Sequence, residues 1–295
     1  MPKLHTHGSI FHADEVIGAA LFVHLGDIAT SDILRANHAP ESPAPGDIVL
    51  DIGGRHGVDD NGVVWLDHHQ DKDMPCAAVL TFRHLEPRLS PATKKAAERF
   101  LDGVDRHDRG MEPYIKGRMT LSDIIAALNP VGEATEDKRT ANFREAVTLF
   151  VALFNRMVAY QELVESQAGD VARLAALNAP FVVAEQYLPK LLRTLEGTLT
   201  RHAVYPSLRG GWSVQAVCIP NTKTPVQPVP AGIAGATFVH ATGFIASFAT
   251  KEEAVAAATE LAKIDIVVPA KAVPEEVIIP LPGTKNSTAV NPFGV

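Results

Sequence analysis

The sequence predicts an α/β protein, with a parallel-sheet N-terminal domain followed by a second, smaller α/β domain. Three observations carry that expectation. In the first half, short apolar runs such as Ile48-Val49-Leu50 and Val63-Val64-Trp65-Leu66 alternate with helical stretches such as Val16 to Leu25, the rhythm of strands joined by crossover helices. A long amphipathic stretch, Phe143 to Leu177, then interrupts the alternation. Beyond it, several strand-like runs lie close together with few helices between them, as in a partly antiparallel sheet. The expected boundaries are residues 1–135 for the first domain, 136–178 for a helical connector, 179–264 for the second domain and 265–295 for a Pro-rich tail.

Each element has its own signal. Lys3 to His7 reads as a strand whose alternation puts His5 and His7 on one face, and Gly8 to Phe11 as a loop. His12-Ala13-Asp14-Glu15 opens a helix that Gly26 stops. Ile33 to Arg35 is a second strand, and Asp47 to Leu50 a buried one that runs into Asp51 and the Gly53-Gly54 pair. Val63 to Leu66 leads into Asp67-His68-His69-Gln70, and Asp59-Asp60-Asn61-Gly62 before it is a turn by composition. Helices follow over Cys76 to Leu85, Ala92 to Val104 behind a Ser90-Pro91 start, and Thr120 to Leu128. Gly169 is the natural break in the long amphipathic stretch. The second domain offers strands at Phe181 to Ala184, His202 to Tyr205, Trp212 to Ile219, Thr237 to Ala241 and Phe244 to Phe248. Its helices are Leu188 to Leu199 and Lys251 to Lys263. Val267-Val268 and Val277 to Ile279 in the tail are candidate edge strands or partner-binding segments, and a homodimer is one assembly the tail could serve.

Composition narrows the function classes. A chain of 295 residues that is 46% hydrophobic and 21% charged can bury a sizeable core. Its apolar runs fall short of the ~20 residues that span a bilayer, and Met1 to His5 has no apolar signal character, so a cytoplasmic protein without a membrane partner is expected. The net charge of -7 argues against a broad grip on duplex nucleic acid. A short or single-stranded phosphorylated substrate remains compatible, because metal ions can supply the positive charge. Cys76 and Cys218 are too far apart in sequence for thiolate-zinc spacing and read as buried small residues.

The chemistry concentrates in the first half. Of twelve histidines, ten lie between His5 and His107. The acids and imidazoles expected at one edge of the parallel sheet are His7, His12, Asp14, Asp51, Asp67, His68, His69 and Asp105, more ligands than one ion needs. Burying the Asp51 carboxylate unpaired at a strand end would cost several kcal/mol, roughly, so it should face a metal or a donor cluster. Glu15 is read as a helix cap, and Asp105, His107, Asp108 and Arg109 share a helix end where i,i+3 and i,i+4 ion pairs account for His107 and Arg109. Mixed imidazole and carboxylate donors suit Mn²⁺, Fe²⁺, Co²⁺ or Zn²⁺ better than Mg²⁺. Two ions about 3.5–4 Å apart, with Asp51 as the natural bridge, would stabilise the attacking and leaving oxygens of phosphoryl transfer.

An early His/Asp motif, a strand ending in Asp51-Ile52-Gly53-Gly54, then Asp67-His68-His69-Gln70 and a later Asp105 resemble the DHH phosphoesterase superfamily. More closely, Thr6 to Glu15, Trp212 to Val217 and Phe238 to Ile245 are similar to the melanocyte-proliferating-gene (Myg) family, over about Leu4 to Ala262. The resemblance implies a two-domain DHH-type fold, a dinuclear site usually loaded with manganese, and 3′-to-5′ exonuclease activity on RNA. It implies one metal site of His7, His12, Asp14 and Asp51 and another of Asp51, His68 and Asp105. Asp67 would orient a histidine, His69 would contact the scissile phosphate, and His240, Gly243 and Arg209 would bind substrate.

Two rivals accompany the exonuclease reading. One is a hydrolase of small phosphorylated metabolites or cyclic dinucleotides, towards which the acidic net charge leans. The other is a non-catalytic metal-containing binding protein, less favoured because an open dinuclear site exceeds what a scaffold requires.

Overall fold

The computed structural model describes residues 2–111 and 115–266. It is a mixed α/β structure that divides into two compact units, Met1–Ser166 and Gln167–Val295. The candidate strands of the tail, Val267-Val268 and Val277 to Ile279, lie outside the described residues.

The first unit is built on β1 (Leu4–His7), α1 (Ala13–Leu25), β2 (Ile33–Ala36), β3 (Ile48–Leu50), β4 (His56–Val58), β5 (Val64–Leu66), α2 (Ala77–Leu85), α3 (Pro91–Asp108), α4 (Leu121–Ala126) and α5 (Glu136–Ser166). Its sheet has the order β2-β1-β3-β5-β4. The first four strands pair in parallel, whereas β4 runs antiparallel to β5. The sheet is therefore mixed rather than wholly parallel. β4 escaped the sequence reading because His56-Gly57-Val58 carries a single apolar residue, and two of its three residues are exposed on the sheet edge.

Helix α1 is apolar on all sides, and each residue from Ala13 to Phe22 is buried, as expected of a helix enclosed by other elements. It packs against α2 and α5 and touches β3. α5, within the stretch expected as a connector, contributes Phe143, Val147, Phe150, Phe154 and Val158 to the same core. By length and composition α5 is the one described helix able to cross a bilayer. The long amphipathic stretch breaks at Gln167, the N-cap of the next helix, two residues before Gly169.

The second unit contains α6 (Ala168–Ala176), β6 (Phe181–Val183), α7 (Leu191–Leu195), β7 (His202–Pro206), β8 (Trp212–Ala216), β9 (Ala236–Val239), β10 (Ile245–Phe248) and α8 (Lys251–Ala262). Its sheet order is β6-β7-β8-β10-β9, parallel only between β6 and β7. The alternation of each strand sends Val204, Val214, Ala246 and Phe248 to one face, where Ala254, Ala257, Ala258 and Leu261 of α8 cover them. On the opposite face, residues of α6 and α7 pack with Ala203, Tyr205 and Val217.

Candidate metal centre

The centre forms where β1, β3 and β5 end and α1 begins. His7 is the last residue of β1. Its Nδ1–H donates to the Gly8 carbonyl at 2.8 Å, which turns Nε2 inward, 3.0 Å from Glu15 Oε1 and 3.4 Å from Asp51 Oδ2. Such an outer hydrogen bond sets which imidazole nitrogen is free to ligate. His12 is the N-cap of α1, so Asp14 and Glu15 fall in the first helical turn, where the helix dipole favours negative charge. Glu15 Oε1 also accepts from the His12 backbone N–H at 2.9 Å. The capping role read from the sequence is present, and the same carboxylate is wholly buried against His7.

Asp51 follows β3 with φ 56°, a left-handed conformation that short polar residues adopt more readily than others. That turn directs its carboxylate among three histidines: Oδ1 lies 3.3 Å from His68 Nε2 and 3.7 Å from His69 Nδ1, and Oδ2 faces His7. Asp67, after β5, accepts from Gly54 N–H at 2.6 Å and from His69 Nδ1–H at 2.7 Å. The Gly53-Gly54 pair, at φ 101° and 63°, thus brings backbone to Asp67 rather than to Asp51. His69 is held through Nδ1 while its side chain stays 63% exposed, placing Nε2 within reach of an incoming ligand.

The two acids near the end of α3 part company. Asp105 Oδ1 accepts from Cys76 N–H at 2.7 Å, and its Oδ2 pairs with Arg109 at 3.2 Å. Asp108 instead reaches 3.4 Å from His68 Nε2. Of the eight residues gathered by sequence, seven stand at the centre, Asp67 through its hold on His69. Asp105 is occupied elsewhere, and Glu15 and Asp108 join. The sequence reading favoured Asp105, but its three-residue spacing from Asp108 carried no signal of which one α3 would aim inward. For Glu15, the burial of its first helical turn was the missing information.

Electrostatics shows a site short of positive charge. Among the described residues, every ion pair made by Asp14, Glu15, Asp51 and Asp108 is to a histidine. Burial opposes the charged form of His7, yet Asp51 and Glu15 raise it to about 10. The neighbouring Asp51 carboxylate raises His68 against its own burial. Burial, followed by Asp51 and Glu15, lifts Asp14 well above the carboxylate range, and burial lifts Asp108. Burial pushes Asp51 up as well, but His68 and His7 hold it below its ordinary value.

The residues fit divalent cations. Asp14 Oδ1, Glu15 Oε2 and Asp51 Oδ1 are buried without a hydrogen-bond donor, a costly state that a cation would relieve. Three overlapping ligand sets occur, His7/His12/Glu15/Asp51, Asp51/His68/His69 and His12/Asp14/Asp108, each with its ligand atoms within 4.8 Å of one another. A hollow of about 220 Å³ lined by His12, Asp14, His107, Asp108 and Ser122 adjoins them. In the second unit, Arg209 and His240 line a separate cavity. Gly243, at φ 67°, is buried in the turn after His240, where a Cβ would stand 2.7 Å from the Val229 carbonyl.

Residues 3–92 match the family model MYG1_exonuc, described as Uncharacterised protein family (UPF0160). The MYG1 protein C694.04c of Schizosaccharomyces pombe is 28% identical, over 85% of this chain and 94% of that protein. MYG1 exonuclease of Mus musculus is 27% identical over 86% of this chain and 83% of its own length, and that of Homo sapiens 26% over 87% and 85%. No solved structure matches the chain. The chain is thus similar to the MYG1 family, through the family model over its N-terminal third and through relatives spanning most of its length.

Proposed function

We propose that this chain is a cytoplasmic, divalent-metal-dependent phosphodiesterase of the DHH type that shortens RNA or short oligoribonucleotides from the 3′ end. The observation that carries the reading is Asp51, a buried carboxylate with His7 on one oxygen and His68 on the other. Relatives named MYG1 exonuclease support the substrate class. His7, His12, Glu15 and Asp51 would hold one ion, and Asp14, Asp108 and Asp51 around His68 a second, manganese suiting the mixed nitrogen and oxygen donors. When bound, such ions supply Lewis acidity and neutralise charge on the attacking and leaving oxygens of an in-line displacement.

The chain's own residues do the rest. Gly8 fixes the His7 ring so that Nε2 faces the carboxylates. Asp67 fixes the His69 ring through Nδ1, leaving the exposed Nε2 edge of the ring to contact the scissile phosphate. The apolar core around α1 keeps the buried carboxylates from hydrating, which strengthens their hold on cations.

The test is hydrolysis of a 5′-labelled oligoribonucleotide with Mn²⁺. The wild type should yield a ladder shortening from the 3′ end, and Asp51→Asn and His68→Gln should each lose about 100-fold or more of the rate, as loss of several kcal/mol of charge stabilisation implies. Undiminished rates in both variants would overturn the assignment. Faster turnover of mononucleotides or cyclic dinucleotides than of any oligomer would move the substrate class to small phosphorylated metabolites.

A further inference from the structure

A second hollow in the first unit lies outside the metal ligands. It encloses about 260 Å³ and is lined by Arg99, Phe100, Gly103 and Val104 of α3 and by Arg118 to Ser122, the stretch that leads into α4. Its walls are of two kinds. The Phe100 ring stands edge-on to Phe150 and Phe154, with centroids 5.2 and 5.9 Å away, so the core fixes the apolar side. The charged side is two guanidinium groups, and no carboxylate lines the hollow. Neither Arg99 nor Arg118 makes an ion pair among the described residues, although the chain carries a net charge of -7.

Gly103 is the informative residue. It lies inside α3, where glycine is a poor helix former, and it is not among the residues of positive φ. A Cβ built on it would meet nothing within 4 Å. Neither backbone conformation nor packing within the protein therefore calls for glycine at this position. Its missing side chain leaves room in the hollow, as an occupant lying between the arginines requires.

The hollow also runs on towards the metal centre. Arg99, Gly103 and His107 recur every fourth residue and share one face of α3. His107 lines the hollow that holds His12, Asp14 and Asp108, and the buried Ser122 lines both hollows. From His107 back to Arg99 the helix rises about 12 Å. A single phosphate at the carboxylates does not span that distance, whereas a strand of several nucleotides does.

From this arrangement we infer that the hollow is a backbone subsite for single-stranded RNA. Arg99 and Arg118 hold a phosphodiester of the strand body, and its ribose lies over Gly103 against the apolar wall while the terminal phosphodiester occupies the metal centre. Guanidinium groups match phosphate oxygens in pairs, and a backbone contact reads no base. The subsite therefore sets the preferred length and not the sequence. The inference rests on the nuclease reading for its substrate, but the binding it states can be measured without catalysis.

The experiment is fluorescence anisotropy of the full chain with a 5′-labelled octauridylate, and separately with a labelled diuridylate, in EDTA so that no metal-dependent hydrolysis occurs. Arg99→Ala and Arg118→Ala should each weaken the octamer about 3- to 10-fold and lower the slope of log affinity against log salt by about 0.7, the share of one phosphate contact on a single strand. The dimer should bind both variants as it binds the wild type. Gly103→Leu should weaken the octamer to a similar degree with both arginines in place, and its melting temperature should not fall, because leucine is the better helix former. Absence of octamer binding to the wild type at millimolar concentration overturns the subsite. So does an affinity unchanged in the arginine variants or in Gly103→Leu, or one that falls equally for dimer and octamer. The nuclease reading is judged separately by hydrolysis with Mn²⁺: an octamer-binding wild type that hydrolyses no phosphodiester keeps the subsite and loses the nuclease, and hydrolysis with length-independent binding does the reverse.

Discussion

His68 Nε2 stands 3.3 Å from Asp51 Oδ1, which couples the end of β5 to the end of β3 through one close pair of ionisable groups. A cation placed there displaces the imidazole proton and satisfies the carboxylate, so occupancy and stability are linked. Titrating the EDTA-treated protein with Mn²⁺ should raise its stability by about 2.7 kcal/mol at a hundredfold excess over the dissociation constant. Thermal melts with and without the metal measure this, and coincident melts would remove the centre as a cation site.

Asp105 and Asp108 separate by role. Asp108→Asn takes a charge from the set that includes His12 and Asp14 and should lower Mn²⁺ affinity about tenfold or more. Asp105→Asn leaves that set intact but weakens the acceptor of Cys76 N–H and the Arg109 pair. It should cost about 1–3 kcal/mol of stability with metal stoichiometry retained. Metal titration together with denaturant melts distinguishes the two. The reverse pattern would give Asp105 the ligand role.

Glu15→Gln keeps an acceptor for the His12 backbone N–H and removes the charge beside His7. Mn²⁺ affinity should fall about 10- to 100-fold, with the metal-free melting temperature equal to or above that of the wild type. Unchanged affinity would leave Glu15 a helix cap alone.

His202 gives a pH signature independent of the metal centre. Burial lowers its pKa to about 4, opposed by its bond to the Gln227 carbonyl. An unfolded histidine titrates near 6.5, so between pH 6.5 and 4 the unfolded chain binds the proton that the folded chain refuses. The contribution is fully present above about pH 6.5 and is lost as pH falls towards 4, by about 3 kcal/mol in all. In His202→Gln that part of the pH slope in urea midpoints should vanish; an unchanged slope would assign the dependence elsewhere.

The local sequence was enough to mark where chains end and acids begin. Apolar runs terminating in Asp51 and in Asp67-His68-His69 predicted strand ends, and strand ends are where β3 and β5 stop. The apolar stretch from Val16 predicted a buried helix because an unbroken apolar surface has nowhere else to go. The mixed pairing of the second sheet was likewise legible from closely spaced strands with few helices between them. What periodicity could not supply was direction. Asp105 and Asp108 lie on one helical face by spacing, yet the end of α3 turns only Asp108 to His68, and the neighbouring Cys76 N–H takes the other acid. Glu15 satisfies a capping rule that needs three residues of sequence, whereas its contact with His7 depends on how β1 enters α1. The pairing of Ser213 with Ser247 in the second unit is invisible along the chain, because the two are 34 positions apart and meet only through the antiparallel register of β8 and β10. Residue type and local period therefore determined the elements and the chemistry at hand. Tertiary packing decided which carboxylates share buried space and which sheet face stays open, because burial and cross-strand register arise between segments distant in sequence.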